Sequence, residues 1–71
     1  MIKMLLVSSS NVESVGYDEI AQELHVRYHS RPDIYVYQAV PQDLFDRLLA
    51  ASSKGSFLHR EVKGVYSFFM Q

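Results

Sequence analysis

Residues 23–41, ELHVRYHSRPDIYVYQAVP, carry the pattern that decides the fold. Leu24, Val26 and Tyr28 alternate with Glu23, His25, Arg27 and His29, the period of two expected of a half-buried strand, whose successive side chains leave opposite faces. Ser30-Arg31-Pro32-Asp33 then reads as a turn, because proline fixes φ and lacks a backbone donor while Ser30 and Asp33 can bond their own backbone. A second strand is predicted from Ile34 to Ala39, with Tyr35, Tyr37 and Ala39 on one face and Ile34, Val36 and Gln38 on the other. Apolar side chains on both faces predict a central strand.

Working outward, SNVESVGYD before this stretch sets Glu13, Val15 and Tyr17 against Val12, Ser14 and Gly16. That is a short strand in which neither face is wholly apolar, and Asp18 to Gln22 form a polar connection to the next one. On the other side, Val40-Pro41 ends the second tyrosine strand. Proline suits the first helical position, where its missing N–H has no intrahelical partner, and Asp43 complements the positive end of the helix dipole. Leu44, Phe45, Leu48, Leu49 and Ala51 form one helical stripe, with Gln42, Asp46 and Arg47 outside it. Ser53 is placed to cap a second helix over 54–63, with Phe57, Leu58 and Val62 inward and Gly64 as its stop. The tail VYSFFMQ is aromatic, and either pairs as a last strand or packs across the sheet. The expected fold is α+β: a small antiparallel sheet of three to four strands, packed on one face by two consecutive C-terminal helices, with the other face open.

The chain has 71 residues, one domain's worth, and a domain of this size buries only about 60% of the surface its unfolded chain exposes. It contains no cysteine, so neither disulfides nor a Cys-based zinc site supplements the core. Its 48% hydrophobic and 21% charged composition is that of a folding chain. The net charge of -1 argues against tight binding to duplex phosphate, which normally needs a basic excess. Met4 to Val7 is too short an apolar run for a signal peptide or a membrane span, so a cytoplasmic protein without membrane attachment is expected.

Few residues suggest chemistry. His25 and His29 have the helical spacing of a metal pair, but in a strand their Cα atoms stand about 13 Å apart at about 3.3 Å per residue. Two exposed strand histidines are the expectation, and no metal. Ser8, Ser9 and Ser10 lie in no nucleophile-elbow pattern, Asp43 and Asp46 belong to a solvated helix face, and Gly16, Gly55 and Gly64 match no phosphate loop or dinucleotide fingerprint. No cofactor and no enzyme are expected; a hydrolase using His59 or the serine cluster would need a pocket of converging polar groups.

Two features remain. At 100° per residue Ser56, His59, Arg60 and Lys63 share about a third of the second helix's circumference, and with Lys54 they make a small basic face that Arg47 could extend. It reads either as a solvated helix face or as a phosphate contact. Tyr35 and Tyr37 read either as core under the helices or as a platform for unpaired bases, each stack worth about 1–3 kcal/mol.

The order of motifs resembles the KTSC domain, named after a C-terminal extension of some lysyl-tRNA synthetases and found also as a stand-alone bacterial protein. Over residues 7–66 the resemblance rests on Ser9-Ser10-Asn11, Gly16-Tyr17-Asp18, the Tyr35-x-Tyr37 pair, Val40-Pro41, and Ala51-x-Ser53-x-Gly55 leading into Phe57. The chain departs from the family pattern at Ser30–Asp33, where a glycine is usual before the tyrosine strand, and at His59, where an asparagine often follows the aromatic pair. Ser9, Asn11 and Asp18 also have a plain reading as short side chains that hold a strand end and turn by bonding nearby backbone. The attachment to synthetases implies RNA as a partner.

The expected function is a non-catalytic RNA- or tRNA-associated binding module, with Tyr35, Tyr37, Lys54, His59, Arg60 and Lys63 as its candidate contacts. The alternative is a protein interaction module or homodimer, suggested by Tyr66, Phe68, Phe69 and Met70 gathered at the C-terminus.

Overall fold

Val12 and Val15 both enter the core although they are three apart in one strand, which strict alternation forbids. In the computed structural model, which describes residues 2–71, a register shift between Val12 and Ser14 resolves this. Val12 pairs with Tyr28 and Ser14 with Arg27, so Glu13 is the extra residue of a β-bulge. Val12, Val15 and Tyr17 thereby share one face, while Ser14 and Gly16 take the other. The mixed faces read from the sequence are the mark of that bulge.

The elements are β1 (Leu5–Leu6), β2 (Val12–Asp18), β3 (Glu23–Tyr28), β4 (Ile34–Tyr37), α1 (Gln42–Ala50), α2 (Lys54–Glu61) and β5 (Phe68–Met70). The strands form one antiparallel sheet in the order β1-β2-β3-β4-β5. The α+β class matches the expectation, but the sheet has five strands rather than three or four. The additional ones are the short edges. β1 is a two-residue pairing of Leu5 and Leu6 with Val15 and Ser14. The aromatic tail supplies β5, which pairs Phe68, Phe69 and Met70 with Tyr37, Val36 and Tyr35. β4 is therefore central, as its two apolar faces require.

The helices cover the front face. Val12, Val15, Leu24, Val26, Tyr28 and Tyr37 meet Leu44 and Leu48 of α1, Phe57 and Leu58 of α2, and Val40 and Val62 at the helix ends. Pro41 is the N-cap of α1, one position before the helix proper. The joint between sheet and helix is tied at Val40, whose N–H donates to the Gln22 carbonyl at 2.8 Å and whose carbonyl accepts from the Tyr17 hydroxyl. Tyr17 also stacks on Phe45 at 5.3 Å. Ser53 caps α2 by accepting from the Ser56 N–H at 3.3 Å, which satisfies a donor that has no intrahelical partner. The helix ends at Glu61, two residues earlier than expected, and Gly64 takes φ of 78° in the turn beyond.

The back face is not open at its centre. Ser14, Gly16, His25 and Val36 are buried there, and His25, expected to be exposed, retains 7% of its surface. Gly16, His25 and Val36 form one cross-strand row. The N-terminal segment crosses the row at Gly16, where a Cβ would stand 2.7 Å from the Lys3 carbonyl oxygen and 2.8 Å from Ile2 Cγ2. Glycine is required because backbone passes where a side chain would be.

Candidate functional site

Three segments distant in sequence converge at one end of the sheet. The Ser9–Asn11 turn is fixed first: Ser9 Oγ accepts from the backbone N–H groups of Asn11 and Val12, at 3.2 and 3.1 Å. His29, just past β3, then holds the turn from both sides. Its N–H donates to the Asn11 carbonyl at 2.9 Å, and its Nε2 lies 3.0 Å from the Ser9 carbonyl, which can only accept, so Nε2 carries the proton. The β3–β4 turn brings up Arg31, whose Nε and Nη2 both lie 3.4 Å from Asp33 Oδ2. Gly55 in the first turn of α2 lets Asn11 approach, with a Cβ there only 3.1 Å from Asn11 Nδ2.

Between these segments lies a cleft of two adjoining lobes. The first, about 470 Å³, is lined by Ser10, Asn11, Tyr28, His29, Ser30, Arg31, Tyr35, Gly55 and Lys63. The second, about 420 Å³, is lined by Asn11, Gly55, Ser56, His59, Arg60 and Lys63. Asn11, Gly55 and Lys63 belong to both. Arg31, Arg60 and Lys63 supply cations, His29 and His59 supply imidazoles, and none of the lining side chains is a carboxylate. Arg31 is paired with Asp33 just outside the lining, so on a chain of net charge -1 the net positive charge gathered here is that of Arg60 and Lys63.

The floor is aromatic but largely occupied by its own contacts. Tyr28 meets Tyr35 edge-on at 5.1 Å, Tyr35 stacks on Phe68 at 5.3 Å, and Lys63 Nζ sits 4.8 Å over the Tyr28 ring. The Tyr28 and Tyr37 hydroxyls lie 3.0 Å apart in the interior. Burial holds both phenols above the ordinary tyrosine range, and the bond to Tyr37 and the neighbouring tyrosines add to this at Tyr28.

The sequence-derived contacts therefore divide. His59, Arg60 and Lys63 line the cleft, and Tyr35 lies on its floor. Tyr37, 2% exposed, is core and offers no face to a base. Lys54 turns toward α1, its Nζ 3.1 and 2.6 Å from the Leu49 and Ala51 carbonyls, where it satisfies the open end of that helix. Arg47 lies on the seam between the helices, 3.8 Å from Glu61 and over the Phe57 ring, and does not extend the basic face. Sequence reasoning missed Arg31, His29 and Asn11 as site residues. Ser9 and Asp18 do hold turns, Asp18 Oδ1 accepting from Ile20 and Ala21 N–H at 3.1 Å, whereas the Asn11 side chain faces the cleft. No group of three potential metal ligands occurs among the described residues.

Comparison with known proteins bears on the family and the fold. The family model described as "KTSC domain" matches residues 8–66. A protein of Tsukamurella paurometabola is 44% identical over 57 residues, covering 80% of this chain and 84% of its own. One from Stutzerimonas stutzeri is 36% identical over 62 residues, 87% of this chain and 86% of the other. The crystal structure of a KTSC domain protein from Yersinia pestis superposes with a TM-score of 0.94 at 28% identity, over 100% of this chain and 99% of that one. The chain belongs to the KTSC domain family.

Proposed function

We propose that this KTSC domain is a non-catalytic module of the bacterial cytoplasm that binds single-stranded RNA, including the unpaired parts of tRNA, through the two-lobed cleft. The observation that carries this reading is the gathering of Arg31, Arg60 and Lys63 around one concave site without a lining carboxylate, on an otherwise slightly acidic chain. Such a site suits phosphate, and its small extent suits a single strand better than a duplex. Because the tyrosine rings are engaged with one another and with Phe68, affinity rests on the sugar–phosphate backbone rather than on stacked bases. No described helix is long and apolar enough to cross a membrane.

Fluorescence-anisotropy titration of labelled single-stranded RNA, tRNA and duplex DNA at low and moderate salt tests the reading. Binding in the micromolar range or weaker is expected, with a log–log salt slope of about −2 for three contacts at about −0.7 each on a single strand. The double variant Arg60→Ala, Lys63→Ala, checked for folding by circular dichroism, should bind roughly tenfold more weakly with a shallower slope. Absence of RNA binding at low salt sinks the proposal.

A second reading has its own observation. Phe68, Phe69 and Met70 of the edge strand β5 are each about half exposed (51, 45 and 43%), and no charged residue follows Lys63 in the sequence. An uncharged apolar edge favours a protein partner or a second copy of the chain. Sedimentation of the full chain and of a chain lacking residues 67–71 tests it: an unaltered monomer in both removes the tail from this reading.

A further inference from the structure

We infer, on the reading of this cleft as an RNA site, that it holds two consecutive phosphates of one strand, one in each lobe, with Lys63 and Asn11 on the wall between them. Each lobe has a guanidinium of its own. The first has the Arg31 guanidinium, oriented by Asp33 at 3.4 Å, and the second has Arg60 beside Ser56 and His59. Lys63 borders both, its ammonium over Tyr28 of the first lobe, so one long side chain is within reach of two anionic positions, which suits a repeating phosphate chain and is redundant for an isolated anion. The tyrosine rings of the first lobe are already engaged, Lys63 over Tyr28 and Phe68 against Tyr35, which leaves its guanidinium and the lysine as the groups that meet the strand.

Asn11 gives the wall its selectivity. Its amide is both donor and acceptor, has no side-chain hydrogen bond among the described residues, and is packed against Gly55 within 3.1 Å of a Cβ position. The group lying between two consecutive phosphates is the ribose, and its 2′-hydroxyl is likewise both donor and acceptor. Asn11 is thus the residue that distinguishes ribose from deoxyribose, while Arg31, Arg60 and Lys63 respond only to phosphate.

Titrations followed by nuclear magnetic resonance with the full chain test this, using the uridine dinucleotides pUpU, UpU and the deoxy form of pUpU, with a decamer of uridine for reference. The 5′-phosphorylated pUpU, with two phosphates, should bind roughly fivefold tighter than UpU, the yield of one exposed charge-assisted contact. It should shift amides of both lobes, at Arg31 and at Arg60. Arg31→Ala or Arg60→Ala should each remove that advantage. Asn11→Ala should lower affinity for pUpU to that of its deoxy form and leave the deoxy form unchanged, which a merely weakened fold would not do. If the decamer binds but pUpU and UpU are alike, or shifts stay within one lobe, or no dinucleotide binds at millimolar concentration, the two-phosphate reading is overturned and the RNA reading stands. If the decamer does not bind either, both fall.

Discussion

The two faces of the sheet are buried by different means. The front lies under two amphipathic helices, and its side chains are large and apolar: Leu24, Val26, Tyr28 and Tyr37 below, Leu44, Leu48, Phe57 and Leu58 above. The back is buried around Ser14, Gly16, His25 and Val36, with an extended N-terminal segment lying directly on Gly16. It carries polar atoms into the interior, among them His25 Nε2 and Arg27 Nε, which have no hydrogen-bond partner among the described residues; His25 Nε2 has only Glu23 at 3.5 Å. Apolar area removed from water contributes about 25 cal/mol per Å², whereas buried polar groups without partners oppose folding. The front should therefore carry most of the stability, and the back should open first.

The strongest test of that asymmetry is Leu58→Ala. Leu58 is wholly buried between α2 and the sheet, and a cavity there should cost about 2–5 kcal/mol, a large share of the stability available to a chain of this size. Circular dichroism in a thermal melt should show a large fall in midpoint. A small fall would mean that the helices contribute less than their contacts imply.

Gly16→Ala makes the matching change on the back. Its new methyl would meet backbone at Lys3 as well as Met4 Sδ at 2.9 Å, so the N-terminal segment must shift. A cost of about 1–3 kcal/mol is expected, with hydrogen exchange accelerated at Leu5 and Leu6 while front-face methyl resonances keep their positions. If the front resonances move as well, the two faces form one cooperative unit and the contrast is lost.

The same asymmetry governed what could be read from sequence. The front announced itself through period-two and helical patterns in Leu24–Tyr28 and Leu44–Leu48, because large apolar side chains repeat at the spacing of the element that buries them. The back did not. Gly16 has no side chain to enter a pattern, β1 pairs only Leu5 and Leu6, and the cover over Gly16 comes from a segment with no period of its own. The bulge at Glu13 further scrambled the parity of β2. At the cleft, His59, Arg60 and Lys63 were legible because one helix sets their spacing. Arg31 and Asn11 come from turns, and no local rule joins residues 11, 31 and 60; the hydrogen bonds of His29 to Ser9 and Asn11 do so in three dimensions. Tyr35 and Tyr37 share a face as predicted, but the parity that places them together cannot say that one lines a cleft and the other is sealed.

The sealed hydroxyl pair gives the finest test, since it is the front face's own polar element. Tyr28→Phe leaves the Tyr37 hydroxyl buried without the partner now 3.0 Å away, and should cost about 1–2 kcal/mol. Tyr28→Phe with Tyr37→Phe should cost less than the two single changes together, because no orphaned group remains. Alkali separates this from a simple packing loss. Both phenols are raised above their ordinary value by burial, so above about pH 10 the unfolded chain releases protons that the folded chain retains. The stabilisation is complete below that pH and declines as pH rises further, at most by about 1.4 kcal/mol per pH unit for each phenol. Urea unfolding between pH 8 and 11.5 should show this decline in the wild type and a flatter profile in the double variant. An equally steep decline in the double variant would assign it to other groups, and the front would then owe its stability to apolar contact alone.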